Sequence, residues 1–242
     1  MARLRIATAG WSIPRAVADS FPAEGSALER YAARFPAVEI NSSFYRPHRL
    51  STWERWRDST PAQFRFSVKL PKAITHEREL GDFAAPLAAF IEQVQVLGDK
   101  LAVILVQLPP KLQFDARAAE CLFWAVASPT TAAIACEPRH PSWFGAEADA
   151  LMAECRVARV AADPARCEGA GEPGGWRGLA YWRLHGSPVM YRSSYADRIA
   201  GYAARMEAEA TGGREAWCVF DNTASSTAAQ DALALMGALG VT

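Results

Sequence analysis

Six short apolar runs in this chain end in residues that can hold charge or move protons. They are Val38-Glu39-Ile40-Asn41, Phe66-Ser67-Val68-Lys69, Ala135-Cys136-Glu137-Pro138-Arg139, Val160-Ala161-Ala162-Asp163, Trp182-Arg183-Leu184-His185 and Val219-Phe220-Asp221-Asn222. Glu39, Glu137, His185 and Asp221 suit two kinds of chemistry. A histidine at a strand end works as a general base near neutral pH, with carboxylates beside it as acid or base. The same four residues could instead ligate a divalent Mn, Mg or Zn ion, although no HxH or HExxH spacing is present. Arg139 follows Glu137 by two residues and keeps it ionised, which fits a metal ligand or an electrostatic anchor. Lys69, Arg139, Arg183 and Arg192 can hold the anionic part of a ligand. Lys69 also has the option of Schiff-base chemistry, with carboxylate pairing the commoner fate of a lysine so placed.

These residues need a scaffold that brings strand ends together. Eight strands are expected, at Leu4–Gly10, Ala37–Asn41, Phe64–Leu70, Leu101–Leu108, Ala132–Glu137, Arg156–Ala162, Leu179–His185 and Ala216–Asp221. Helical spacing separates most of them, at Gly25–Phe35, Leu50–Trp56, Phe83–Leu97, Asp115–Ala127, Ala146–Cys155, Tyr195–Ala210 and Ala224–Leu239. Alternating strands and helices imply a parallel sheet. At 242 residues the expected fold is a single-domain (β/α)8 TIM-type barrel spanning residues 1–242, whose catalytic groups project from the strand C-termini. Asp163–Gly178 is rich in glycine and proline, so an irregular loop is expected in place of the sixth helix.

Side chains alternate across a strand with period two. Glu39 with Asn41, Arg65 with Ser67 and Lys69, and Tyr181 with Arg183 and His185 therefore share polar faces, opposite apolar ones. Outer helices demand the apolar face, which leaves the polar face for the interior. Buried charges are costly unless paired, and acids and bases arrive there in similar number. Structural ion pairing is the competing reading of the whole set.

Two late loops offer an anion site. Gly186–Tyr195 carries Ser187, Arg192, Ser193 and Ser194, and Asn222–Thr227 is rich in hydroxyls. Barrel enzymes often bind phosphate after strands seven and eight, although helix capping by the same residues is common. Trp11, Phe44, Tyr45, Trp143, Tyr191 and Tyr195 could stack on a sugar ring or base, or simply pack the loops. Asn41, Gln107, Asp163 and Asn222 complete the polar set expected to orient a ligand.

A formal net charge of zero argues against a broad nucleic-acid or membrane footprint. No apolar stretch reaches the ~20 residues that span a bilayer, and no signal-peptide pattern precedes the first strand. A cytoplasmic location is expected. The five cysteines form no CxxC pair and suggest neither a disulfide framework nor a cysteine zinc site. Walker, nucleophile-elbow and G-x-G-x-x-G patterns are absent, which disfavours dinucleotide use and serine hydrolase chemistry.

In order along the chain stand AGW at Ala9–Trp11, VEINSSFY at Val38–Tyr45, FRFSVKLPKAITH at Phe64–His76, LVQLPP at Leu105–Pro110, EPRHPSW at Glu137–Trp143, YWRLHGSP with MYRSSY at Tyr181–Tyr195, and FDNTA at Phe220–Ala224. This pattern resembles the YecE-like family of uncharacterised proteins (domain of unknown function, number seventy-two), over nearly the whole chain. The resemblance implies a TIM-type barrel with its pocket on the quoted residues, and it names no reaction. FDNTASST departs from the pattern where a more glycine-rich turn is expected.

The resulting expectation is an enzyme acting on a small polar, phosphorylated or sugar-like ligand, either a phosphoester hydrolase or a sugar isomerase. The alternative is a non-catalytic protein that binds a metabolite or RNA.

Overall fold

The computed structural model describes residues 3–241. Ten strands and eight α-helices alternate through them. β1 (Leu4–Thr8), β2 (Ala37–Ile40), β3 (Arg65–Lys69), β4 (Leu101–Gln107) and β5 (Ala133–Glu137) fall within expected strands. So do β9 (Leu179–Leu184) and β10 (Glu215–Phe220), the latter starting one residue early. The expected strand at 156–162 is divided into β6 (Val157–Arg159) and β7 (Ala161–Asp163). The helices are α1 (Ala27–Ala32), α2 (Ser42–Tyr45), α3 (Leu50–Asp58), α4 (Ala84–Val94), α5 (Ala116–Ala127), α6 (Ala146–Glu154), α7 (Ile199–Thr211) and α8 (Ala228–Ala238).

The strands form two sheets, ordered β1-β10-β9-β7 and β2-β3-β4-β5-β6-β8. Every pairing is parallel except that of β6 with β8 (Gly174–Gly175). The sheets meet at two seams. At one, β6 and β7 flank Val160, so a single stretch of chain pairs first with β5 and then with β9. At the other, Ala9 and Glu39 form a parallel bridge, and the Gly10 amide donates to the Glu39 carbonyl at 2.8 Å. Segment 164–178 contains no helix. Its anchor is Arg159, which donates to the Gly169 carbonyl at 2.8 Å and pairs with Asp149.

The period-two alternation sorts the core into two clusters. Val38, Ile40, Phe66, Val68, Ile104, Cys136, Trp182, Leu184 and Phe220 pack outward with helix residues such as Phe90, Phe123, Met206 and Leu235. Each large apolar side chain buried there stabilises the fold by about 1.5–3 kcal/mol. Ala37, Val103, Leu105, Ala135, Ala158, Val160, Tyr181, Trp217 and Val219 form a second cluster between the inner faces of the strands. Glu39, Glu137, Arg183 and Asp221 lie on that inner face, two residues beyond Ala37, Ala135, Tyr181 and Val219 of the second cluster. No helix among the described residues is long and apolar enough to cross a membrane.

Candidate functional site

Inner-face parity decides which side chains meet. Glu39 follows Ala37, Glu137 follows Ala135, Arg183 follows Tyr181 and Asp221 follows Val219, each by two residues. All four converge at the C-terminal ends of the strands, and Arg183 is their centre. Its guanidinium donates to both oxygens of Glu39, from Nε at 3.0 Å and Nη2 at 2.7 Å. Nη1 donates to Glu137 at 2.5 Å and Nη2 to Asp221 at 3.0 Å. Arg183 and Glu39 are 0% exposed and Glu137 is 1% exposed, so this is a buried network and not a rim of surface pairs.

The remaining donors surround Glu137. Gln107 Nε2 lies 3.1 Å and Arg139 Nε 3.0 Å from its Oε1. His185 spans two acids, with Nδ1 at 2.9 Å from Asp221 and Nε2 at 3.2 Å from Glu137. An imidazole facing a carboxylate at each nitrogen donates from both, which is the charged form. Burial opposes charge on His185, but Glu137 and Asp221 outweigh it and its pKa is raised. Burial likewise opposes charge on Glu137 and Asp221, but Arg183 and His185 hold both below the usual carboxylate range. Burial also works against Arg183, and its three carboxylates reverse that and raise it well above the ordinary value.

The guanidinium takes the position that a cation needs among Glu39, Glu137 and Asp221. Those carboxylates are directed onto Arg183. Among the described residues no group of three His, Cys, Asp or Glu side chains is arranged to hold a metal ion. As placed, the expected metal candidates do not fit Mn, Mg or Zn.

Lys69 stands apart from the network. It ends β3, is 7% exposed, and its Nζ lies 3.9 Å from the centroid of the Phe44 ring. Burial first, then Arg183, pushes its pKa down to about 8, against the pull of Glu137, Glu39 and Asp221. His76 packs edge-on against the same Phe44 ring, with centroids 4.9 Å apart. It sits on a single π-helical turn, Ala73–Glu77, and its Nδ1 is 2.8 Å from the Thr75 hydroxyl. Burial and the charges of Lys69 and Arg139 push His76 down to about 4, so it is neutral at pH 7. Asn41 closes this side, with a buried Oδ1 that has no hydrogen-bond partner.

The other sequence-selected residues divide by position. Tyr191 adopts a left-handed backbone (φ 63°) and presents its ring edge-on to His185 at 5.9 Å. Gly186 makes that return possible: its φ is 93°, and a Cβ there would lie 2.9 Å from the Val189 carbonyl. Tyr45 and Arg192 are exposed. Trp11 packs edge-on against Trp56 at 5.1 Å. Trp143 is fully buried and donates its indole N–H to the Leu112 carbonyl at 2.9 Å, so it supports a loop and does not reach the mouth. Asp163, Tyr195 and Asn222 face outward. Asp163 accepts from Arg198 at 2.9 Å and Tyr202 at 2.8 Å, and the Tyr195 hydroxyl lies 2.9 Å from the Asp163 carbonyl oxygen. Asn222 donates to Asp231 at 2.6 Å.

Asp231 bears on the expected phosphate position. It lies in the first turn of α8 and accepts from Ser194 Oγ at 2.5 Å and the Tyr195 amide at 3.0 Å. Its negative charge in that first turn would oppose an anion bound at the start of α8. Among the described residues, Lys69 is the cation at the strand ends that pairs with no carboxylate, while Arg139 pairs with Glu137 through Nε at 3.0 Å and Nη2 at 2.9 Å.

Three residues of the site were not selected from the sequence. Tyr181 lies 2.9 Å from Glu39 and 2.8 Å from Ser67, and period-two parity already put Tyr181 and Ser67 on the inner face. His76 lay inside the FRFSVKLPKAITH stretch, but its π-turn has no readable periodicity.

A family model described as "Protein of unknown function DUF72" matches residues 5–242. The UPF0759 protein YunF of Bacillus subtilis (strain 168) is 29% identical over 150 residues, covering 57% of this chain and 51% of that protein. The UPF0759 protein YecE of Escherichia coli (strain K12) is 30% identical over 120 residues, covering 49% and 43%. The chain thus spans about half the length of the curated relatives it matches. A solved DUF72 family protein from Enterococcus faecalis V583 superposes with a TM-score of 0.84 at 20% identity, over 99% of this chain and 96% of that one. One from Thermotoga maritima MSB8 gives 0.71 at 22% identity, over 98% and 99%. A xylose isomerase-like TIM barrel/4-hydroxyphenylpyruvate dioxygenase fusion protein gives 0.54 at 15% identity, over 98% of this chain and 42% of that one. At these identities the likeness concerns the fold: an α/β arrangement of parallel strands with TIM-barrel-like neighbours.

Proposed function

The chain belongs to the DUF72 family, proteins of unknown function, and from that premise we propose an enzyme acting on a small anionic ligand at the mouth formed by its strand C-termini. In this reading the two sheets are one (β/α)8 barrel and one domain. The shared stretch of β6 and β7 and the Ala9–Glu39 bridge support that closure. All five cysteines are free, which accords with a reducing cytoplasm.

One observation carries the functional reading. Arg183, Glu39, Glu137, Asp221 and His185 form a buried charged network at the strand ends, held by six salt bridges and hydrogen bonds among themselves. Apolar residues of similar volume would stabilise a barrel as well or better. Strongly perturbed titratable groups in such a place mark a site of chemistry. The network fixes Glu137, which in turn orients Arg139. Arg139 and Lys69 then face an anionic group such as a phosphate or carboxylate, and Asn41 offers an unsatisfied acceptor to a ligand hydroxyl. Phosphorylated sugars are the first substrates to test, for ester hydrolysis and for isomerisation.

A second reading has its own support. Both nitrogens of His185 face carboxylates, so it is not free to accept a proton. That favours binding without turnover, and Lys69 and Arg139 would serve a sensor equally well.

Titration calorimetry with inorganic phosphate and ribose 5-phosphate tests the anion site. Saturable binding is expected. Lys69→Met should weaken it at least tenfold, about 1.4 kcal/mol, while Arg192→Met should leave it within twofold. Equal affinity in wild type and Lys69→Met would remove the proposal. Turnover of a sugar phosphate would separate the enzyme from the sensor.

A further inference from the structure

The chain has only four lysines, Lys69, Lys72, Lys100 and Lys111, among its 26 Lys and Arg residues. Three of them are tied to oxygen. Lys72 pairs with Glu77 at 3.0 Å, and Lys111 pairs with Glu79. Lys100 donates to the carbonyls of Arg57 and Thr60 and to the Thr60 hydroxyl. Lys69 is the exception: among the described residues its Nζ contacts no oxygen acceptor, and its neighbour is the Phe44 ring.

That arrangement is unusual for a lysine kept for charge alone. Three carboxylates stand at the same strand ends, yet all are directed to Arg183 and His185. Lys69 is 7% exposed as a residue, and its amine sits on an aromatic face whose edge meets an imidazole that is neutral at pH 7. Weak solvation and a missing counter-ion both favour an uncharged, nucleophilic amine.

We propose that Lys69 forms an imine with the carbonyl group of an anionic ligand, an α-keto acid or an open-chain sugar phosphate. This rests on the reading of the mouth as an anion site. The Nζ lone pair attacks the carbonyl carbon, an N–C bond forms, and the C=O π pair moves to oxygen. The C–O bond then breaks, and the two amine protons leave with the oxygen as water. Arg139 holds the anionic group, and the Arg183 network keeps Glu39, Glu137 and Asp221 from neutralising the amine.

The test uses the wild-type chain, so no variant has to fold. Three carbonyl probes are incubated separately with borohydride: pyridoxal 5′-phosphate, glyoxylate and neutral glycolaldehyde. Modified lysines are then located by peptide mass spectrometry. Lys69 should be trapped at least tenfold faster than exposed Lys72 and Lys111. The faster of the two anionic probes identifies the ligand as phosphorylated or carboxylated. The trapping rate at Lys69 should rise through about pH 8, set by burial and Arg183 against Glu137, Glu39 and Asp221, with His76 beside it already neutral. Trapping at Lys69 no faster than at Lys72 overturns the proposal. Phosphate binding without trapping would defeat the imine and leave the anion site standing. Rapid trapping by glycolaldehyde without phosphate binding would do the reverse.

Discussion

Two polar networks stand at the strand ends, and they differ in direction. The inner one joins Arg183 to Glu39, Glu137 and Asp221, with His185 and Arg139 beside them. The outer one joins Asp163 to Arg198, Tyr195 and Tyr202, and Asp231 to Asn222, Ser194 and Tyr195. Each contains a strand-end aspartate paired with an arginine, Asp221 with Arg183 and Asp163 with Arg198. The outer network ties β7 and the loop after β10 to α7 and α8, which is a structural task. The inner network ties strand to strand across the interior and joins no helix to the sheet. A strand-end acid is therefore informative only once its facing is known.

The largest effect should come from breaking the inner centre. Arg183→Met leaves three buried carboxylates uncompensated and should cost about 3–5 kcal/mol in urea unfolding. It should also abolish phosphate binding, because Glu137 no longer orients Arg139. A stable variant that still binds phosphate would erase the distinction between the two networks.

Breaking the outer network should cost stability alone. Asp231→Asn weakens charge-assisted hydrogen bonds at a 1% exposed position and should destabilise by about 1.5–3 kcal/mol. Asp163→Asn should cost about 1 kcal/mol or less, since Asp163 and Arg198 are 23% and 33% exposed and partly screened. Phosphate affinity should stay within twofold in both. A tenfold loss in either would place the outer network in the site.

The smallest effect is in pH dependence. Glu137 and Asp221 are lowered, so their contribution is full above about pH 4 and is lost as pH falls through their shifted values. His185 is raised, so its contribution is full below about pH 6.5 and is lost as pH rises through its shifted value. The inner network should hold best between those limits. Urea midpoints measured against pH should show both limbs in wild type, with a weaker acid limb in Glu137→Gln. An unchanged acid limb would remove Glu137 from the linkage.

Alternation alone separated the inner set from much of the outer one. Ala133, Ala135 and Glu137 share a face, as do Trp217, Val219 and Asp221. By the same count Asp163 lies with Val157 and Ala161, and Asn222 with Cys218 and Phe220, on the helix side. The alternation thus already places Asp163 and Asn222 on the face opposite Glu137 and Asp221. Trp143 was different, because its burial depends on Phe114, Phe123 and the Leu112 carbonyl, which no local pattern encodes.

What the sequence determined by itself was most of the main strands and helices and the facing of their side chains, because both follow from short-range periodicity. It also determined which strand ends carry charge. Partnership was decided only by the tertiary structure. Arg183 lies 144 residues from Glu39 and 46 from Glu137, and the strand order alone puts them in contact. That contact is what turns three acids from metal-ligand candidates into partners of a guanidinium. By occupying them it also leaves Lys69, an ordinary lysine in the sequence, without a counter-ion at the mouth.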